Sequence, residues 1–83
     1  MKLLYFAWLK AKTGIAEEEV DPPAEVATVG DLLAWLKGRG PGYAEALSDI
    51  QIVRVAVNQE YADPDHPVQP GDEVALFPPV TGG

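Results

Sequence analysis

One decapeptide restricts the folds open to this chain. Between Thr28 and Lys37, Val29, Leu32, Leu33 and Leu36 fall at i, i+3, i+4 and i+7. That spacing is one apolar stripe on a helix. Thr28 is a good N-cap, and Asp31 three residues on completes a capping-box pattern while complementing the helix dipole. Gly38 and Gly40 end the segment, with Lys37 and Arg39 beside its negative pole. Trp35 lies about one position off the stripe and is expected to be half-buried. A helix with a single apolar face must bury it against another layer, and most of the remaining chain reads as short strands.

The run Leu3 to Trp8 is apolar on both alternating faces, which predicts a central strand covered on both sides. Leu9 to Lys12 reads as one helical turn stopped by Gly14. Glu17 to Asp21 reads as a polar strand ending at Pro22-Pro23, paired with the first in a hairpin, its glutamates protecting an edge. Tyr43 to Leu47 forms a second short helix. Ile50 to Val57 is a β-branched strand, with Val53, Val55 and Val57 on one face and Ile52, Arg54 and Ala56 on the other. Asn58-Gln59 turns into a brief strand around Glu60 to Ala62. Pro64, Pro67 and Pro70 then forbid regular structure, and Pro70-Gly71 signals a type II turn. Glu73 to Phe77 is the final strand. The order predicts an α+β fold with the first and last strands adjacent in mid-sheet. That arrangement is the ubiquitin-like β-grasp: a mixed sheet of four to five strands, with one main helix on one face. Residues 1–77 form the domain and residues 78–83 a flexible tail.

The tail Pro78-Pro79-Val80-Thr81-Gly82-Gly83 carries the functional signal. No side chain from Val74 to Gly83 ionises, so the α-carboxylate is the only charge there. Paired glycines lack Cβ atoms and can thread a narrow channel. Extended, Pro78 to Gly83 reaches roughly 20 Å.

Eighty-three residues support one small core. The net charge is −7, and Arg54 is the only Lys or Arg beyond residue 40, against seven acids there (Glu45, Asp49, Glu60, Asp63, Asp65, Asp72, Glu73). Such a surface repels phosphate backbones, so nucleic acid is excluded as a partner and an electropositive protein surface fits better. No apolar run is long enough to cross a membrane, and Met1-Lys2 leads straight into a strand-like run without a signal-peptide pattern. A cytoplasmic location is expected. There is no cysteine, so sulfur cannot be held on a side-chain thiol and thiolate metal sites are excluded. Asp63, Asp65 and His66 are adjacent in a proline-broken loop without ligand spacing, so they read as a turn; no metal site is expected. Glycine-rich nucleotide motifs are absent, and one histidine without cysteine leaves no material for a nucleophilic triad.

Several blocks match a known family. Tyr5-Phe6-Ala7, Ala56-Val57-Asn58-Gln59, Asp65-His66-Pro67 and the closing Gly71-Asp72-Glu73-Val74-Ala75-Leu76-Phe77-Pro78-Pro79-Val80-Thr81-Gly82-Gly83 stand in the sequence. On these the chain resembles the small, sulfur-carrier subunits of molybdopterin synthase, the MoaD family. The resemblance implies that an E1-like adenylyltransferase joins Gly83 to AMP and that a sulfur donor makes the thiocarboxylate. It implies that two such carriers turn precursor Z, a cyclic pyranopterin monophosphate, into the dithiolene. The implied complex is a heterotetramer of two small and two large subunits, with catalytic groups on the partners. No cofactor would be bound permanently; AMP and sulfur would reside on Gly83 transiently. Phe77 would grip the large subunit, Pro78 and Pro79 would fix the exit direction, and Val80, Thr81 and Gly82 would thread its channel. The same chemistry also serves carriers of other pathways, such as thiamine thiazole synthesis, and ubiquitin-like protein modifiers.

Overall fold

The last strand of the chain lies in the middle of its sheet. In the computed structural model, which describes residues 1–79, five strands run in the order β2-β1-β5-β3-β4. They are β1 (Lys2–Tyr5), β2 (Glu17–Glu19), β3 (Arg54–Val57), β4 (Glu60–Tyr61) and β5 (Glu73–Phe77). Strands β1 and β5 pair in parallel, with Leu3 opposite Val74 and Tyr5 opposite Leu76. All other pairs are antiparallel. This is the expected β-grasp order.

The main helix α2 (Val29–Lys37) forms as its stripe and cap dictate. Thr28 Oγ1 accepts from the Asp31 amide at 3.2 Å, and the Asp31 carboxylate accepts from the Thr28 amide at 3.2 Å. Val29, Leu32, Leu33 and Leu36 are all buried, and Trp35 is half-buried. They join Leu3, Leu9, Leu47, Val55, Val74 and Leu76 in one core. Each buried leucine contributes about 1.5–3 kcal/mol by leaving water.

Two expected strands shorten most, and β2 also ends early, at Glu19 rather than Asp21. The first stops at Tyr5, because Ala7 takes φ 54° and turns the chain. Trp8 then begins α1 (Trp8–Thr13), which Gly14 closes in the left-handed conformation. Helix α1 places Leu9 in the core with no exposed surface, and that burial outweighs the strand preference of Phe6 to Trp8. Nor is β1 covered on both sides: Leu3 and Tyr5 are buried, while Leu4 is half-buried and Phe6 is 48% exposed. Ile50–Ile52 form a tight 3-10 turn instead of strand, with Asp49 accepting from the Gln51 amide at 3.2 Å. The alternation expected from Val53 to Val57 holds within the remaining strand.

Helix α3 (Pro41–Ala46) packs against the C-terminal end of α1. A Cβ on Gly42 would stand 2.5 Å from the Lys12 carbonyl oxygen, so the two backbones meet there because Gly42 lacks one. Asn58 and Gln59 both take positive φ, 52° and 71°, the mark of the tight hairpin joining β3 to β4. At Pro70-Gly71 the expected turn forms, with Gly71 at φ 93° and the Asp72 amide donating to the Gln69 carbonyl at 3.1 Å.

Candidate functional site

The functional surface follows from strand register. Side chains alternate across a sheet, so burying Leu3, Val55, Val74 and Leu76 under the helices places their neighbours on the opposite face. Leu4 lies opposite Ala75, Ala75 opposite Ala56, and Ala56 opposite Tyr61, one row across four strands. In the next row Phe77 lies opposite Arg54, and the Phe6 amide donates to the Leu76 carbonyl at 3.2 Å. The Tyr61 and Phe77 rings pack 5.8 Å apart. Among the described residues no helix covers this face: Leu4, Ala56, Ala75 and Phe77 are half-buried, Phe6 is 48% exposed and Tyr61 76% exposed. A clustered, uncovered apolar surface of this kind is the candidate docking site. Lys2 and Glu17, paired at 3.3 Å, bound its far end.

The tail starts from this face. Strand β5 is held between β1 and β3 along its length, so Phe77, Pro78 and Pro79 leave from a fixed base, all three half-buried. Val80, Thr81, Gly82 and Gly83 fall outside the described residues. Of the tail and interface residues named from the sequence, the structure places Phe77 on the open face and Pro78 and Pro79, half-buried, directly after it.

The ThiS family profile matches residues 3–83. The chain belongs to that family. It is 41% identical over 83 residues to the molybdopterin synthase sulfur carrier subunit of Escherichia coli strain K12, covering all of this chain and 99% of that one. Among solved structures, a Pyrococcus furiosus protein assigned as molybdopterin converting factor subunit 1 superposes with a TM-score of 0.77 at 34% identity, over 95% of both chains. The small archaeal modifier protein 1 of Haloferax volcanii superposes at 0.75 with 34% identity, over 96% of this chain and 97% of that one.

This ThiS-family chain also carries a polar cluster that neither composition nor spacing exposed. Glu18 Oε2 accepts from Tyr5 Oη at 2.7 Å, Arg39 Nη1 at 2.8 Å and Tyr43 Oη at 2.9 Å. The Arg39 guanidinium lies 4.9 Å from the Tyr43 ring centroid and 5.3 Å from that of Trp35, a favourable cation–π geometry. Glu18 sits on the edge strand β2, as expected of the glutamate run, yet it serves as an acceptor rather than a repelling charge. Burial pushes its pKa up, but the three donors outweigh that and hold it below the ordinary carboxylate value. Burial first, then the bond to Glu18, raises the Tyr5 pKa far above the usual phenol value; the same causes raise Tyr43. The cluster thus sets an ionised carboxylate among neutral phenols and joins β1, β2, the end of α2 and α3. It supplies no nucleophile, and its role is to clasp those elements together. Arg39 to Tyr43, which matched no family block, here provides two of its members. The contacts span 13 to 25 positions in sequence, so no local pattern reports them. Phe6 and Tyr61 were likewise not singled out from the sequence, although both stand exposed on the open face; the outward alternation of Leu4 and Phe6 was the available signal.

Asp63 and His66 form the expected turn, the His66 amide donating to the Asp63 carbonyl at 2.9 Å. Among the described residues no His, Asp or Glu group could hold a metal ion, and no helix is long and apolar enough to cross a membrane.

Proposed function

We propose that this chain is the sulfur-carrier subunit of a molybdopterin synthase, working from Gly83. The observation that carries the reading is a last strand locked between two others and leading directly into a Gly-Gly tail without ionisable side chains, beside an apolar face. The similarity to named sulfur-carrier subunits over the full chain supports it.

The chemistry follows from the carboxylate. With a reference pKa near 3.3–3.7 it is ionised at neutral pH and a poor electrophile. An E1-like adenylyltransferase makes it reactive: a carboxylate oxygen attacks the α-phosphorus of ATP, pyrophosphate leaves, and Gly83 becomes an acyl adenylate. Hydrosulfide released by a sulfur donor attacks the acyl carbon and expels AMP, leaving a thiocarboxylate. The large synthase subunit receives the tail through Val80, Thr81 and Gly82, while Phe77, Pro78 and Pro79 hold its root. In that site the sulfur bonds to a carbon of the cyclic pyranopterin monophosphate as the carbon–oxygen bond at that carbon breaks, the oxygen leaving with its phosphate or as water. Water then cleaves the acyl–sulfur bond and restores the Gly83 carboxylate. Two carriers supply the two sulfurs of one dithiolene, matching a heterotetramer of two small and two large subunits. The chain contributes the reacting atom and its placement; acids, bases and resident cofactors belong to its partners, and the work takes place in the cytoplasm.

The intact mass of the protein isolated from cells tests this. A gain equal to replacing one oxygen by sulfur at Gly83 is expected; its absence under conditions of active cofactor synthesis refutes carriage. A second reading, a protein modifier, rests on the likeness to the archaeal modifier protein alone. It predicts isopeptide conjugates from Gly83 to lysine amines in the same measurement.

A further inference from the structure

Beside the open face the structure contains a groove of about 620 Å³ between the first turn of α2 and the β3–β4 edge. Ile50, Arg54, Tyr61, Asp63 and Phe77 line it. Three features mark it as a surface for a partner. Ile50 and Ile52, on the 3-10 turn beside it, are 48% and 45% exposed, an unusual outlay of large apolar side chains away from the sheet face. The groove shares Arg54, Tyr61 and Phe77 with that face, so whatever fills it also touches the root of the tail. Arg54 is the one Lys or Arg in the acidic second half of the chain.

Arg54 defines the chemistry of the occupant. Its Nη1 donates to the Gln51 carbonyl at 3.0 Å, and among the described residues it makes no ion pair. A guanidinium offers five donors in a planar fork suited to a carboxylate. Covering it with an apolar partner would strand a charge away from water. Asp63, at the same groove, repels a second acid. The occupant therefore places a single carboxylate at the Arg54 end and an apolar side chain between Ile50 and Tyr61.

We propose that this groove is a second docking site, which receives an acidic-apolar segment of the large synthase subunit and so fixes the orientation in which the tail enters. The inference rests on the sulfur-carrier reading for the identity of that subunit. Local charge favours it: the acidic surface around the groove suits a partner that is basic overall, and Arg54 is the one guanidinium there that can seat a carboxylate of that partner.

The test measures binding of the cognate large subunit to the full chain by calorimetry at two salt concentrations. Arg54→Gln and Ile50→Asp are each expected to raise Kd about tenfold, and Arg54→Gln to flatten the salt dependence. Lys37→Glu, remote on α2, serves as control and leaves Kd unchanged. Circular dichroism shows that each variant is folded; should Ile50→Asp fail to fold, Ile50→Ser replaces it. Unchanged Kd in folded Arg54 and Ile50 variants overturns the groove while leaving sulfur carriage intact. Impaired adenylation with unchanged large-subunit binding also overturns it, because it assigns the groove to the activating enzyme. If the wild-type chain forms no thiocarboxylate and does not bind the large subunit, the sulfur-carrier reading itself fails.

Discussion

Tyr5 Oη donates to Glu18 Oε2 at 2.7 Å, joining the core side of β1 to the sheet edge one residue before the exposed Phe6. This bond holds β1 to β2 just before the chain turns at Ala7.

The clasp predicts a pH signature at both extremes. The folded-state pKa of Glu18 is lowered, so its contribution is present above the unfolded value, about 4.3, and is lost as pH falls through the folded one. Tyr5 is raised, so its contribution is full below about pH 10 and declines as pH rises toward its folded value. Glu18→Gln should lower stability at pH 7 by about 1.5–3 kcal/mol and flatten the acid limb. Tyr5→Phe should flatten the alkaline limb. Urea denaturation from pH 3 to pH 11 measures both.

Gly42→Ala should destabilise by about 1–3 kcal/mol, because the added methyl meets the rigid Lys12 carbonyl at 2.5 Å. Gly38→Ala meets only the Trp35 carbonyl, at 3.5 Å, and should change little. Paired thermal melts distinguish packing from the general effect of replacing glycine.

Phe6→Asp places a charge on the open face without touching the core. It should leave the melting temperature within a few degrees of wild type and weaken large-subunit binding by about tenfold or more. Titration calorimetry reads the affinity, and retained binding would remove Phe6 from the interface.

Deleting Gly83 should abolish adenylation by the E1-like enzyme and sulfur delivery, with the sheet unaffected. Pyrophosphate release in the presence of ATP reports the first step, and sulfur incorporation into the pterin the second.

Much of this architecture was legible from local signals. Helix α2 announced itself through Thr28, Asp31 and its stripe, and β5 through the Pro70-Gly71 turn ahead of alternating Val74 and Leu76. The pairing of first and last strands followed from element order. What escaped had non-local causes. The strand preference of Phe6 to Trp8 yielded to a turn at Ala7 that lets Leu9 reach the core, and Ile50 to Ile52 curl because β3 pairs with β5 only from Arg54 onward. Glu18 looked like an edge charge because its three donors are distant in sequence. Phe77, Pro78 and Pro79 were found at the root of the tail, and Gly83 lies outside the described residues.

The parallel pairing of β1 with β5 has a consequence during synthesis. A ribosome makes Lys2 to Tyr5 well before their central neighbour, Glu73 to Phe77. Until then β3 and β1 have nothing between them, and the hydrophobic interior cannot close. The closed interior and the open face therefore form only once β5 has been made, and a nascent chain that stops short of Glu73 has neither.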